Sequence, residues 1–387
     1  MEYLEKAFEI EDYIINLRRE LHMYPELSLM EYETALRIER ELKKAGITTA
    51  RVCNTAVIAY IGHGSNTVAL RSDMDALAVN EDTGEEFASK NSGVMHACGH
   101  DFHMASLIGA AKILKQMEEK IDNLNGRIKL IFQPAEEKSL GAAMLIKEGI
   151  LSDVNKIFGL HVFSDIETGR ISIEPGERMA ITENFKITVN GRGGHAGKPH
   201  LCVDATVAAA ELVVNLQTIV SRSSNPINSV ALTIGTFHSG TAQNVISQKA
   251  ELTGTIRTFN EDDRINTRKS LYRMCDMIKM GYGVDIEIEY MEALHPAVIN
   301  DEELSRKIYK KAAEEFGEER MIKVPKMMLG EDFSSYQECV PGVYAFVGVK
   351  NKDKENYLNH HEKFNPDEST LALCAALHVT AAFAMLE

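Results

Sequence analysis

The sequence predicts an α/β fold with a mostly parallel sheet and an inserted α+β domain. Apolar runs of strand length alternate with helical patterns from about residue 46 onward, as in sheets that carry helices on both faces. Between residues 184 and 295 the order changes to strand–helix–strand–strand–helix–strand, which is ferredoxin-like. A chain of 387 residues also exceeds the size of one ordinary core. We therefore expect one domain made of residues 1–183 and 296–387, interrupted by a second, 184–295.

The first domain is predicted to begin with two amphipathic helices in residues 1–46. They are separated near Tyr24-Pro25, because proline restricts the residue before it to extended geometry. The second helix, from about Leu29 to Ala45, carries apolar or small residues near helical spacing. The strands predicted next are 56–61, 67–70, 127–133 and 156–160, with helices at 104–117 and 142–148.

The inserted domain is predicted to have strands at 185–190, 229–236, 250–259 and 285–290, and helices at 204–219 and 261–281. A four-stranded sheet of that order has an exposed edge that could pair with its copy. We therefore expect a homodimer or higher homo-oligomer through residues 184–295. The α/β pattern then resumes with a helix at 302–316, a strand at 343–347 and a helix at 369–386.

The composition excludes some classes of partner. Lys and Arg total 42 against 57 Asp and Glu, so the net charge is −15. This negative charge repels nucleic acid and anionic membrane surfaces, and we expect neither as a partner. The N-terminus is charged and no segment approaches the roughly 20 apolar residues of a membrane span, so we expect a cytoplasmic protein. The six cysteines form no CxxC pair, which argues against a disulfide framework.

Polar residues follow the predicted strands of the first domain. Asp73 and Asp75 follow one strand, Glu136 and Glu137 follow the next, and His161 closes a third. In open α/β sheets the reactive crevice lies at the carboxyl ends of the strands. These side chains are therefore expected to converge on one edge of the sheet.

The run from His96 to His103 places a thiol, imidazoles and a carboxylate just before an apolar helix. Cys98 and His100 are two apart, so on an extended segment their side chains point to the same side. A thiolate can bridge two ions, and a neighbouring dication would deprotonate it. Cysteine, histidine and carboxylate gathered from strand ends are typical of a catalytic metal site. The alternative is a scattered set of satisfied core residues.

Two further features suit hydrolytic chemistry. Glu136 and Glu137 are adjacent carboxylates that diverge, so one can bind metal while the other accepts a proton from water. The alternative for this pair is the solvated start of a helix. In the glycine-rich segment 191–200, His195 could reach an active site only from a lid or a second subunit. The alternative for that segment is an ordinary loop.

The sequence resembles a family of amidohydrolases that includes hippurate hydrolase, the indole-acetyl-amino-acid hydrolases and N-acetyl-diaminopimelate deacetylase. This family lies within the wider group of two-metal aminoacylases and carboxypeptidases. The resemblance runs almost end to end. The motifs that carry it are residues 18–22, 25–27, 70–77, 96–101, 133–137, 159–162, 191–200, 241–246, 254–257 and 330–333.

The resemblance implies a zinc-peptidase-like catalytic domain, an insertion that acts as lid and dimer surface, and two divalent ions per subunit. The implied metal ligands are Cys98, which bridges the ions, with His100, Glu137, His161 and His360. The implied catalytic residues are Glu136 as general base and His195 as the donor that steadies the oxyanion. Asn244 and Arg257 match residues that bind the substrate, and Asp75 matches one that orients a metal-bound imidazole.

The chain departs from the family pattern at two places. The late histidine of the family stands four residues before an aromatic residue, here Phe364, which favours His360 over His361. The usual proline between them is replaced by Glu362, so the local turn is expected to differ. Some relatives carry a histidine where this chain has Asp73, and the cysteine-containing branch is expected to compensate with His100.

The function predicted from these features is metal-dependent hydrolysis of the amide bond of N-acetyl or aromatic N-acyl amino acids. The substrate would be a small molecule with a free carboxylate. A dipeptidase or carboxypeptidase using the same site is the near alternative, and a non-catalytic protein that binds amino-acid conjugates is a more distant one. Thiolate and imidazole ligands suit zinc, cobalt or nickel, and carboxylates also permit manganese.

Overall fold

The computed structural model describes residues 2–291, 295–352 and 354–387, which form two compact units. The larger unit comprises Met1–Arg178, Val298–Pro325 and Asp332–Glu387. The smaller comprises Met179–Ala297 together with Lys326–Glu331. The smaller unit thus begins five residues before the predicted insertion, 184–295. It also includes the later segment Lys326–Glu331, which the sequence did not indicate.

The helices are α1 Glu2–Phe8, α2 Glu11–Met23, α3 Tyr32–Lys44, α4 His100–Gln116, α5 Glu118–Asn123, α6 Gly141–Lys147, α7 Ala205–Thr218, α8 Glu261–Tyr282, α9 Glu302–Phe316, α10 Ser334–Gln337 and α11 Leu371–Leu386. The strands are β1 Thr49–Val52, β2 Ala56–Ile61, β3 Asn66–Asp73, β4 Gly126–Gln133, β5 Lys156–Glu167, β6 Ile171–Ser172, β7 Gly176–Met179, β8 Ile181–Asn190, β9 Gly194–His195, β10 Val230–Ser239, β11 Val245–Ile246, β12 Lys249–Thr258, β13 Asp285–Tyr290, β14 Val298–Asn300 and β15 Gly342–Lys350.

The larger unit is organised by a seven-stranded sheet in the order β1-β2-β4-β3-β5-β15-β6. Its four central strands, β4, β3, β5 and β15, are parallel, and the strands outside them pair antiparallel. The central strands are buried almost throughout, because a parallel strand is covered on both faces. The predicted α/β class with a mostly parallel sheet is confirmed.

The structure corrects two local predictions that bear on the site. Helix α4 begins at His100, four residues earlier than predicted, so Cys98 and His100 do not share an extended segment. The chain turns into the helix at Gly99, whose φ of 97° lies in the left-handed region. His161 lies inside β5 rather than at its end, since that strand continues beside β15 to Glu167.

Three helices, not two, precede the first strand. Helix α2 ends at Met23, just before the Tyr24-Pro25 step, as proline geometry requires. Helix α3 then begins at Tyr32, after an irregular turn in which Leu29 adopts a φ of 70°. The sequence pattern placed the start of this helix too early, because the apolar side chain of Leu29 resembles the helical repeat that follows.

The smaller unit contains a four-stranded antiparallel sheet in the order β10-β12-β8-β13. With α7 and α8, its chain order is strand–helix–strand–strand–helix–strand, the order that the sequence predicts. The Asp204 side chain accepts hydrogen bonds from the backbone N–H groups of Thr206 and Val207 and caps α7. Helix α8 ends at Gly283, which has a φ of 69°.

Helix α11 lies in the core of the larger unit. Among the described residues, Glu368–Leu386 is the stretch that is long and apolar enough to cross a membrane by length and composition. However, 94% of its apolar window is buried inside the protein. The sequence analysis found no such stretch. A helix surrounded by other elements is apolar all round, so burial in a core produces the same composition as a membrane span.

Candidate metal centre

The thiol of Cys98 lies between two imidazoles of the larger unit. Its Sγ is 3.3 Å from Nε2 of His161 on β5 and 3.3 Å from Nε2 of His360 in the loop after β15. Two groups of possible metal donors meet at this thiol, and all donor atoms within each group are less than 4.8 Å apart. One group is Cys98, His100 and His161, and the other is Cys98, Glu137 and His360.

Two glutamates complete this cluster from the loop after β4. Nε2 of His100 is 3.8 Å from Oε1 of Glu137 and 3.9 Å from Oε2 of Glu136. Oε1 of Glu137 is also 3.7 Å from Nε2 of His360. The structure therefore brings together all five side chains named above as metal ligands, with the predicted base beside them.

Hydrogen bonds determine which ring nitrogen each buried histidine turns toward the cluster. Nδ1 of His100 donates to the main-chain oxygen of Asp75 at 2.8 Å, and Nδ1 of His161 donates to that of Val162 at 2.9 Å. A carbonyl can only accept, so Nδ1 carries a proton in both rings. Nε2 of His161 then faces the thiol, and Nε2 of His100 faces the two glutamates.

The charge distribution of the cluster suits a bound cation. Nε2 of His100 and Oε1 of Glu137 are buried and have no hydrogen-bond partner among the described residues. Burial opposes protonation of His100, but the charges of Asp73, Asp75 and Glu137 outweigh it and raise its pKa to about 10. Burial raises the pKa of Glu137 to about 7 against the influence of His100. These residues favour positive charge at this place, and a divalent ion would supply it.

Asp75 supports the glutamate loop with its carboxylate. Oδ1 accepts from the backbone N–H of Glu136 and Oδ2 from that of Glu137, both at 3.1 Å. The Ser28 hydroxyl donates to the same carboxylate at 2.6 Å. Ala135, with a φ of 55°, donates its N–H to buried Glu31 at 3.0 Å. The sequence indicated Asp75 as a support for an imidazole, and its Oδ1 lies 3.4 Å from Nδ1 of His100. The contacts of its carboxylate with the two glutamate N–H groups were not indicated.

The late histidines face different ways. Nε2 of His360 faces the thiol, and this residue has a φ of 71°, which is left-handed. The ring of His361 stacks on Tyr357 at 4.5 Å between centroids, and its Nδ1 accepts from the N–H of Lys363 at 3.0 Å. His361 is therefore occupied outside the cluster.

Three other predicted site residues belong to the smaller unit. Nδ1 of His195 accepts from the backbone N–H of Gly197 at 2.9 Å, so the neutral ring carries its proton on Nε2. The main-chain oxygen of Asn244 accepts from the N–H of Ala196 at 3.1 Å, which places the Asn244 turn beside the His195 strand. Arg257 on β12 is half-buried and donates to the main-chain oxygen of Met328 at 2.5 Å.

Comparison with known proteins assigns the chain to a family. The family described as peptidase family M20/M25/M40 is matched over residues 69–384. The chain belongs to this peptidase family. It is therefore an amidohydrolase of the M20 type.

Several M20 relatives are similar over nearly the whole chain. Thermostable carboxypeptidase 1 of Saccharolobus solfataricus is 38% identical, over 97% of this chain and 95% of its own. N-acetyl-L-cysteine deacetylase of Bacillus subtilis is 38% identical over 94% and 85%. IAA-amino acid hydrolase ILR1-like 4 of Arabidopsis thaliana is 37% identical over 98% and 87%. The solved Bacillus subtilis YXEP protein, described as a dinuclear metal binding peptidase, is 34% identical over 97% and 98%, with a TM-score of 0.83.

The sequence analysis of this M20 chain missed a buried support of the cluster. Nδ1 of His103 donates to Asp73 at 2.6 Å, while its Nε2 accepts from the backbone N–H of Val162 at 3.0 Å. The second oxygen of Asp73 accepts from Arg71 at 2.8 Å. Both carboxylate oxygens of Asp73 thus accept hydrogen bonds. Asp73 and His103 therefore support the strand that carries His161. The nearness of His103 to Cys98 in sequence was the available signal, but its partner lies on a distant strand.

Proposed function

We propose that this M20 protein hydrolyses the amide bond of N-acyl amino acids, releasing a carboxylic acid and a free amino acid. The observation that carries the proposal is the donor cluster around Cys98, in which buried donor atoms of His100 and Glu137 have no hydrogen-bond partner among the residues that the structure describes. The deacetylase and the IAA-amino acid hydrolase named among the relatives favour this substrate class.

We assign Cys98, His100, Glu137, His161 and His360 as ligands of two divalent ions. The two donor groups share only Cys98, which supports a bridging thiolate. When bound, the ions would lower the pKa of a water and polarise the scissile carbonyl. Manganese, zinc, cobalt and nickel all suit this mixture of thiolate, imidazole and carboxylate.

Glu136 is proposed as the general base. Its Oε2 lies 3.9 Å from Nε2 of His100, which places the carboxylate beside the proposed ligands, where it can accept a proton from the attacking water. Water adds through oxygen to the carbonyl carbon while Glu136 takes its proton. The same carboxyl group then protonates the amide nitrogen as the C–N bond breaks. Asp75 holds the backbone on which Glu136 stands and so fixes the position of the carboxylate.

The smaller unit is proposed to supply the remaining groups. His195 presents a proton on Nε2 and is assigned as the donor to the oxyanion, across a homodimer. Asn244 and Arg257 are assigned to the carboxylate or carbonyl of the substrate. We further propose that the dimer forms through this unit and that the protein works in the cytoplasm.

A carboxypeptidase or dipeptidase that uses the same cluster is the second candidate. It is favoured by the 38% identity to thermostable carboxypeptidase 1 over 97% of the chain. Metal ligands are shared between these reactions, and the shape of the substrate pocket separates them.

The deciding experiment is amide hydrolysis by the metal-stripped protein before and after addition of Mn²⁺, Zn²⁺, Co²⁺ or Ni²⁺. The panel contains hippurate, N-acetyl amino acids, N-acetyl-diaminopimelate and dipeptides. Metal-restored release of amino acid from the acylated substrates is expected. Faster cleavage of dipeptides would favour the second candidate. Binding of two ions without turnover of any substrate would instead indicate a non-catalytic binding protein.

A further inference from the structure

Asn359 connects the segments that carry three of the proposed ligands. Its Nδ2 donates to the main-chain oxygen of Cys98 at 3.0 Å and to that of Val162 at 3.1 Å. On the other side of the amide, Oδ1 accepts from the backbone N–H of Ser164 at 3.4 Å. Because two carbonyls can only accept, they determine which end of the amide faces them.

Both carbonyls that accept from Asn359 are next to a donor of the cluster. The first carbonyl belongs to the residue that carries the thiol. The second belongs to Val162, which follows His161 and also accepts the proton of His161 Nδ1 at 2.9 Å. Asn359 itself precedes His360. One side-chain amide therefore links the backbones of the cysteine loop, strand β5 and the late histidine loop.

The backbone of the late loop needs such support. His360 has a φ of 71°, a left-handed conformation that a residue with a Cβ adopts only when its surroundings impose it. Its own N–H donates to the main-chain oxygen of Ala97 at 2.7 Å. This bond and the Asn359 amide together attach the loop to the segment that carries Cys98.

We propose that Asn359 is a positioning residue of the metal centre, which holds the Cys98 thiol between the imidazoles of His161 and His360. Its Nδ2 hydrogen bonds go to peptide groups beside two of the donors, and it acts through these groups. The inference rests on the proposed metal-binding roles of these three residues. Loss of such a support typically weakens metal binding by about 10- to 100-fold.

Two variants separate the possible effects. Asn359→Asp keeps the shape but turns a carboxylate oxygen toward two carbonyls, which repel it. Asn359→Ala removes the donors without adding charge. The matched control is Asn356→Asp, because Nδ2 of Asn356 donates to the main-chain oxygen of Ser164 at 2.7 Å, on the same strand but not next to a proposed ligand in the sequence.

The test uses Co²⁺ alone, added to the metal-stripped full-length protein. The dissociation constant is measured by competition with a chelator, and the thiolate-to-Co²⁺ charge-transfer and ligand-field bands are recorded. Thermal unfolding of each metal-free variant measures the integrity of the fold. We expect both Asn359 variants to bind Co²⁺ about 10- to 100-fold more weakly and with altered bands, and Asn356→Asp to behave as the wild type.

The outcomes distinguish this inference from the metal site on which it rests. Wild-type affinity and bands in both Asn359 variants would overturn the positioning role alone. Equal losses in the Asn356 and Asn359 variants, with equally lowered metal-free melting, would assign Asn359 to general stability and also overturn it. A wild-type protein that binds Co²⁺ without any thiolate band would overturn the ligand assignment itself.

Discussion

Main-chain carbonyls orient the buried imidazoles of His100 and His161. His100 and His161 both donate from Nδ1 to main-chain carbonyls, which turns Nε2 of His161 toward the thiol and Nε2 of His100 toward the glutamates. A carbonyl partner fixes which nitrogen carries the proton, and at His100 the Asp75 carboxylate adds a negative charge 3.4 Å from the same nitrogen. The sequence indicated which histidines would be donors. It could not indicate which ring nitrogen faces the cluster, because that depends on which backbone atoms lie nearby in space.

Glu136 permits a test of the mechanism at the scale of one residue. Replacing it with glutamine removes the proton acceptor and retains size and hydrogen-bonding groups. We expect Glu136→Gln to lower kcat by roughly 100-fold or more, with an unchanged metal content measured by atomic emission. Glu148→Gln, at an exposed position after α6, is the control and should retain full activity. Full activity of Glu136→Gln would exclude this base.

His378 gives a prediction about pH dependence. It is fully buried on α11, neither ring nitrogen has a hydrogen-bond partner in the described part of the chain, and burial lowers its pKa to about 3. Between that value and the ordinary pKa of about 6.5, the unfolded state binds a proton that the folded state does not, so folding weakens as pH falls. We expect His378→Leu to reduce this slope by about 1.4 kcal/mol per pH unit between pH 4 and 6.

The measurement for His378 is urea unfolding of the metal-stripped protein at several pH values. The exposed His200→Leu variant serves as control and should keep the slope of the wild type. An equal slope in wild type and His378→Leu would show that this histidine does not couple folding to pH.

At the scale of elements, the junction between the cysteine loop and α4 depends on Gly99. Its φ is 97°, and a Cβ placed there would lie 2.6 Å from Cγ2 of Val162. Gly93 has a φ of 77° but open space around it. We expect Gly99→Ala to lower the free energy of unfolding by about 2 kcal/mol or more and Gly93→Ala by about 1 kcal/mol. Denaturant unfolding measures both, and equal losses would exclude the contact with Val162 as a cause.

At the scale of the whole molecule, the donors come from segments far apart in the chain. Cys98 precedes α4 and His100 is its first residue. Glu137 follows β4, His161 lies on β5 and His360 lies near the C-terminus. An unfolded chain offers no such site, so metal binds the folded state and stabilises it. At a free metal concentration 100 times the Kd, the gain is about 2.7 kcal/mol.

This coupling predicts a difference between two cysteine variants. Wild type and Cys339→Ala, which alters an exposed cysteine, should both melt at higher temperature when Mn²⁺ or Zn²⁺ is restored. Cys98→Ala should bind less metal and lose most of this gain. A full gain in Cys98→Ala would exclude a bridging thiolate. Differential scanning calorimetry with and without metal measures this rise in melting temperature.

Much of the fold could be predicted because local patterns agree with the tertiary structure. The strand–helix order of both units and the helix Glu302–Phe316 follow from apolar periodicity and capping residues. The start of α4 and the continuation of β5 past His161 could not, because they depend on a left-handed glycine and on pairing with β15. Periodicity carries no information about either.

The sequence by itself determined the fold class and the types of residue that form the candidate metal centre. Regular spacing and the chemistry of cysteine, histidine and glutamate are properties of the chain, so both could be inferred before any contact was known. Only the tertiary structure decided that Asp75 holds the glutamate loop and that Asn359 joins the segments of Cys98 and His161. Hydrogen bonds to distant backbone atoms leave no periodic trace, because they arise only when remote segments meet in the folded protein.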